Sequence, residues 1–345
     1  IALALCAIAL ATPAVAKPLI TSSEETTAQL CLDREAEGER LIAICTEALS
    51  DPGVSEQQTT EVQAILGDEL LYIGRREDAA EHFKAALAGD PGNVMALNGM
   101  GWVHWYLDEE AVAATYFQQS VDLRPTAQGR AGLASSLWRS GQVEAEVAFT
   151  YLDAAVAVDP EYTWAARERG WLLLEADRGE EALAEFVKVI AEVGTDWNAE
   201  YGRSRALSSL ARYEEALEAA NAAILIDAEV PWAYAQRSFV LRALGRNAQA
   251  LTEAKRVLEM APEASTGHLQ KALAERALGR RADAIATFAA ADEAGVADDL
   301  LLYWYADVVT DENDLPRARA LIERAIALDP GDPDHHLLRS WIALQ

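Results

Sequence analysis

One spacing constrains this chain more than any other feature. Ala79, Ala113, Ala148, Ala182, Ala216, Ala250, Ala284 and Ala318 stand 34, 35, 34, 34, 34, 34 and 34 residues apart. Twelve residues before seven of them is a small residue: Gly67, Gly101, Gly170, Ser204, Ser238, Ala272 or Ala306. In the third unit Ala134 fills that place fourteen residues ahead, which makes its hairpin loop two residues longer. Four residues after the alanines come Phe83, Phe117, Leu152, Phe186, Ala220, Ala254, Phe288 and Ile322. Five units close on a proline: Pro91, Pro125, Pro160, Pro262 and Pro330. Self-similarity at such a period marks one supersecondary unit repeated along the chain.

The residue types say which unit. Alanine and leucine dominate a hydrophobic fraction of 51%, and β-branched runs of strand length are scarce, so the elements are helices. Each unit reads as two helices of about twelve to fourteen residues. Small residues on facing sides let the two backbones approach, while larger apolar residues at i, i+4 and i+7 fill the space between neighbouring hairpins. Proline cannot donate the next helical hydrogen bond and stops the second helix. A lone hairpin cannot bury its apolar faces, so the units must stack.

The spacing and these residues resemble the tetratricopeptide repeat family over residues 60–332. The resemblance implies an all-α, right-handed superhelical solenoid of about eight hairpins. Residues 17–59 would form a helical hairpin ahead of it, and residues 333–345 a capping helix. It also implies a concave groove, lined by the first helices, that binds proteins or peptides. The fourth residue of a unit is often tryptophan in the family. Here that place holds Gln63, Leu97, Arg130, Ala166, Glu200, Tyr234, His268 and Leu302. The family's second, fifth, ninth and twelfth residues face the groove, and seven of the nine tryptophans fall there. They are Trp102, Trp105, Trp138, Trp164, Trp171, Trp232 and Trp341, joined by Tyr201, Phe239 and Tyr303. Arg139, Arg167, Arg205, Arg242 and Arg276 share that face. Such a surface stacks on apolar or planar groups and clamps carboxylates. Two readings stay open: the indoles either contact ligand or pack against the next hairpin, and the arginines either meet ligand or pair with nearby glutamates. Chaperone-docking members of the family grip a carboxylate with lysine and asparagine. Asn98 sits at one such place, but the lysines are missing, so that specificity is not expected.

At the beginning, Ile1 to Leu10 carry no charge, and Ala14-Val15-Ala16 has the small residues of a secretory cleavage site. Residues 1–16 therefore read as a signal peptide entered after its start, and the mature chain as periplasmic or secreted. The stretch is too short to span a bilayer, and no other segment is a membrane candidate. Leu5 is too large to precede a lipidated cysteine at Cys6. Removal of that segment leaves Cys31 and Cys45. On one helix they would stand about 21 Å apart, beyond bridging. A turn through Glu35 to Glu39 would make two short antiparallel helices and bring the thiols together. In an oxidising compartment a disulfide is then expected, worth roughly 3 kcal/mol; otherwise the two are buried thiols that never meet.

Reactive constellations are missing from the pattern. The five histidines, His82, His104, His268, His335 and His336, form no HExxH, and no metal site or cofactor is expected. There is no GxxxxGK[ST], no GxGxxG behind a strand and no GxSxG. Carboxylate pairs such as Glu109-Glu110, Glu180-Glu181 and Glu214-Glu215 fall at the starts of second helices, where they complement the helix dipole. A net charge of -27 without a basic run argues against nucleic acid as partner. The expected function is non-catalytic: a periplasmic scaffold for a protein or extended peptide, held by Trp102, Trp105, Trp138, Trp164, Trp171, Arg167, Arg205, Trp232, Phe239 and Arg242. The alternative is a carbohydrate-binding or polysaccharide-secretion accessory that stacks sugars on the same indoles.

Overall fold

The structure, a computed structural model, describes residues 26–34 and 36–345. The expected signal peptide, 1–16, lies outside the described residues. Among the described residues there are nineteen α-helices and no strand. None of these helices is long and apolar enough to cross a membrane.

The chain divides into two compact units that meet in sequence at Pro125 and Thr126. The first holds α1 (Thr27–Leu32), α2 (Gly38–Ala48), α3 (Glu56–Tyr72), α4 (Arg76–Gly89), α5 (Val94–Trp105) and α6 (Glu110–Leu123). The second begins with α7 (Ala127–Arg139), α8 (Ala145–Val158), α9 (Thr163–Glu175), α10 (Gly179–Val193), α11 (Trp197–Ser209) and α12 (Tyr213–Ile226). It continues with α13 (Pro231–Ala243), α14 (Asn247–Met260), α15 (Ser265–Ala277), α16 (Arg281–Glu293), α17 (Asp299–Asp311), α18 (Leu315–Leu328) and α19 (Pro333–Leu344). From α3 onward the odd-numbered helices are first helices of hairpins. Within each unit a first helix packs on its own second helix and on the next first helix, whereas the backbones of successive second helices stay apart and meet through side chains such as the Asp292–Arg324 ion pair of α16 and α18. The first helices therefore make a continuous inner layer in each unit, with the second helices outside it. This is an all-α tetratricopeptide-like solenoid.

Three side-chain devices recur at the repeat period. The first is the aromatic wedge. Phe83 of α4 lies between Gly67 of α3 and Gly99 of α5, and Phe186 of α10 lies between Gly170 of α9 and Gly202 of α11. Both rings are fully buried. A Cβ added at Gly99 or Gly202 would stand 2.1 or 2.3 Å from a ring carbon, so only glycine lets the ring in. Where the small residue is serine it bonds instead: the Ser204 and Ser238 hydroxyls donate to the Ala216 and Ala250 carbonyls, each at 2.8 Å.

The second device closes the hairpins. Gly74, Asp108, Gly141, Asp177, Ala211, Gly245, Gly279 and Asn313 occupy the equivalent place in all eight, and each has positive φ. Glycine, asparagine and aspartate tolerate this conformation best, and Ala211, at φ 58°, is the misfit. The third device shapes the linkers. Carboxylates of Asp90, Asp159, Asp227 and Asp329 accept from the backbone N–H two residues on, at 2.9 to 3.0 Å. Such side-chain turns hold the chain between hairpins where it cannot be helical.

Ahead of the repeats, α1 and α2 fold back on each other and Cys31 is joined to Cys45, with Cα atoms 5.1 Å apart. Gly38, at φ 58°, opens α2, and its N–H donates to the Glu69 carboxylate at 2.5 Å. The first repeat helix begins at Glu56 rather than near residue 60. Ser55 and Gln58 form a reciprocal capping box there, a local signal that the 34-residue register does not carry. At the other end α19 buries His335, Leu338 and Ile342 but leaves Leu337, Trp341 and Leu344 exposed, so its outer side is not uniformly polar.

Two substitutions separate these devices. Gly202→Ala should lower thermal stability, because overpacking the Phe186 wedge costs about 1–3 kcal/mol against about 0.5–1 kcal/mol gained in helix propensity. Ala211→Gly should raise it by about 0.5–1 kcal/mol, the left-handed strain of about 1–2 kcal/mol being partly offset by added freedom in the unfolded chain. Chemical denaturation of the purified protein reads both.

Candidate functional site

The inner layer of each unit carries the aromatic residues singled out in the sequence. In the first unit they sit on α5. Trp102 meets Trp105 edge-on at 5.8 Å and the Phe117 wedge edge-on at 5.0 Å, and Trp105 meets Tyr106 at 5.3 Å. Both indoles are half-buried: one edge packs on the hairpin and the rest is accessible. Asn98, on the same helix, is buried among the core residues.

In the second unit the aromatic residues run from α7 to α13. Trp138, Trp164 and Trp171 are half-buried, while Trp232 is 49% exposed. Trp171 is the best connected. It touches Phe186 at 5.1 Å and Tyr201 at 5.3 Å, and its Nε1–H donates to Asn198 at 2.9 Å. The Trp138 Nε1–H donates to Glu175, also at 2.9 Å. These indoles are thus neither wholly buried nor wholly exposed: each packs partly on its hairpin and keeps part of its surface accessible. Trp341, on α19, is 45% exposed and stands at the far end of this unit.

The arginines divide sharply. Arg139 reaches Glu168 at 3.2 Å and Glu175 at 3.3 Å, Arg167 reaches Asp196 at 2.6 Å, and Arg276 reaches Asp307 at 2.6 Å and Asp311 at 2.9 Å. These three are held by carboxylates of their own chain. Arg205 and Arg242 form no ion pair or hydrogen bond among the described residues. Arg205 lies 5.7 Å over the Trp171 ring and Arg242 lies 5.4 Å over the Phe239 ring, so each guanidinium has an aromatic partner and free N–H groups. Burial pulls the Arg242 guanidinium below its ordinary value, partly offset by Tyr213. Its Nε is buried without a hydrogen bond, which is costly for a charged donor.

These two free cations border two clefts on the first helices. One, about 590 Å³, runs over α11, α13, α15 and the start of α17 and is lined by Tyr201, Arg205, Trp232, Gln236, Phe239, Leu269 and Gln270. The other, also about 590 Å³, is lined by Arg242, Leu273, Arg276, Trp304 and Asp311. Trp304, Gln236 and Gln270 belong to the lining but were missed by reasoning from groove positions. Trp304, Gln236 and Gln270 all occupy the sixth place of their units, where Gly99 and Gly202 stand in others; that shared place, beside the family's four groove places, was the available signal.

Residues 66–128, 240–299 and 269–333 match the tetratricopeptide repeat model. Over those residues the chain carries tetratricopeptide repeats. A thermophilic TPR protein of Thermus thermophilus is similar with a TM-score of 0.50 at 22% identity, over 53% of this chain and 100% of its own. A tetratricopeptide repeat protein of Parabacteroides merdae has a TM-score of 0.51 at 16% identity, over 83% and 99%. The human IFIT1 dimer with PPP-AAAA has a TM-score of 0.63 at 16% identity, over 89% and 77%. At these identities the likeness is one of fold. Comparison with curated proteins returned no match.

The free and the paired arginines should respond oppositely to removal. Arg242→Leu takes away a buried donor that nothing satisfies and should leave the protein as stable or more stable, by about 1 kcal/mol. Arg167→Leu leaves the part-buried Asp196 Oδ2 without its ion pair, although Oδ1 still caps α11, and should lower stability by about 1 kcal/mol. Thermal unfolding of the two variants beside the parent protein checks the contrast.

Proposed function

We propose that the protein is a non-catalytic scaffold that holds an extended peptide or protein segment along the inner layer of its second unit. The observation that carries this reading is the pair Arg205 and Arg242. In a chain of net charge -27, with carboxylates at hand for the other groove arginines, these two stay unpaired beside aromatic rings and clefts. A guanidinium kept on an aromatic face with free N–H groups suits a carboxylate or backbone carbonyl from outside the chain. Trp232, Tyr201 and Phe239 offer flat apolar area for alternate side chains of the same segment, the kind of anchor that dominates protein interfaces. Trp102 and Trp105 give the first unit an aromatic patch of its own. An oxidising compartment such as the periplasm is supported by the Cys31–Cys45 bridge, since such bonds persist outside the reducing cytosol.

Selection of peptides from a displayed library on the purified protein tests this. Acidic sequences with apolar residues at alternate places should emerge. Arg205→Ala, Arg242→Ala and Trp232→Ala should each weaken them about tenfold or more, a loss of about 1.4 kcal/mol, with helicity unchanged. Equal binding by all three variants would remove the groove from the account. Tryptophan fluorescence that answers to oligosaccharides and not to peptides would favour sugar stacking instead.

A further inference from the structure

Where α19 docks on α17, three potential ligands converge that the repeat pattern does not require. His335, in the first turn of α19, is 1% exposed. Its Nδ1 faces the backbone carbonyl of Asp329 at 3.4 Å. A carbonyl can only accept, so Nδ1 carries a hydrogen and the neutral ring keeps its lone pair on Nε2. Nε2 makes no hydrogen bond although it is buried. It points between two carboxylate oxygens, Asp299 Oδ2 and Asp332 Oδ2, each 3.7 Å away. All three ligand atoms lie within 4.8 Å of one another. Asp332 is also the N-cap of α19: one of its oxygens accepts from the Asp334 N–H at 2.8 Å, which fixes the side chain and leaves the other oxygen for the site. Three lone-pair donors aimed at one point repel one another unless a metal ion stands between them or a proton sits on Nε2.

We propose that Asp299, Asp332 and His335 form a divalent-cation site, of the class that takes zinc, linking α19 to the last repeat. The donor set of one imidazole nitrogen and two carboxylate oxygens suits a borderline ion rather than calcium or magnesium. Zinc binds such donors at about 2.0–2.2 Å in a tetrahedron, whose edges are then about 3.4 Å. The 3.7 Å separations are close to that edge, and the two carboxylates, being only half-buried, can close the difference. Burial of the imidazole keeps its orientation fixed, and the Asp329 carbonyl at Nδ1 supplies the outer hydrogen bond that metal-bound histidines usually have. A water would complete the set of four. Bound there, the ion joins two elements that are 33 residues apart in Asp299 and Asp332 and steadies the terminal helix.

The test uses the full chain, stripped with chelator and titrated with zinc chloride by calorimetry, with cobalt(II) as a spectroscopic probe. One equivalent should bind, the unfolding temperature should rise with zinc concentration, and amide exchange in α19 should slow. Cobalt should show the intense visible absorption of a tetrahedral site. Because His335→Ala opens a buried hole, Asp299→Asn and Asp332→Asn are tested beside it; asparagine keeps the cap and the shape. Each should weaken zinc binding by more than the roughly 10–100-fold that loss of an outer hydrogen-bond partner costs. Absence of zinc uptake by the parent protein would leave the three as an ion pair closed by a proton and overturn the proposal. Uptake of the same strength in Asp299→Asn and His335→Ala would overturn it as well, by placing the ion elsewhere.

Discussion

The wedge of a phenylalanine ring between two glycines is the contact on which the repeat geometry depends. Phe186 reaches from a second helix into the inner layer and meets Gly170 of its own hairpin and Gly202 of the next. One side chain thereby sets two distances at once, helix to helix within a hairpin and hairpin to hairpin. Phe83 does the same in the first unit with Gly67 and Gly99. Close packing makes this stiff, because a ring whose nearest carbon is 2.1–2.8 Å from where a Cβ would be has no room to accept one. Where the wedge residue is alanine, as at Ala220 and Ala254, the serine hydroxyls of Ser204 and Ser238 bond across the hairpin instead.

From that spacing follows the inner surface. First helices touch first helices, so the residues they turn away from the second helices form one layer within each unit. Aromatic rings there are held by one edge, as Trp171 is by Phe186, Tyr201 and Asn198, and so are pre-oriented with little side-chain freedom left to lose. The acidic composition has a second effect on this layer. Carboxylates occupy Arg139, Arg167 and Arg276 and leave Arg205 and Arg242 as the free cations. Arg242 is kept at a cost in buried hydrogen bonding, the kind of compromise that stability alone does not select.

The terminal helix shows a different economy. The N-cap carboxylate of α19 belongs to the same linker chemistry as the aspartates between the other hairpins, yet here it also faces a buried imidazole and a carboxylate from the preceding first helix. A residue that serves only to turn the chain elsewhere thus becomes one corner of a three-sided cluster.

Much of this was legible in the residues. The alanine spacing, the small residue twelve places earlier and the linker prolines specify helical hairpins and their register, because close backbone approach and helix termination are local demands on residue type. The same register places Trp102, Trp171 and Trp232 on first helices. It does not say which arginines are free, because Arg167 and Asp196, or Arg276 and Asp307, meet across hairpins about thirty residues apart and only packing decides the pairing. It does not bring Asp299 to His335, nor admit Trp304 to the cleft beside Arg242, since each depends on the angle at which one helix crosses the next. Periodicity is a property of the chain and survives reading in one dimension. Which charges neutralise one another, and which are left for a partner, is a property of distances that exist only after the hairpins have stacked.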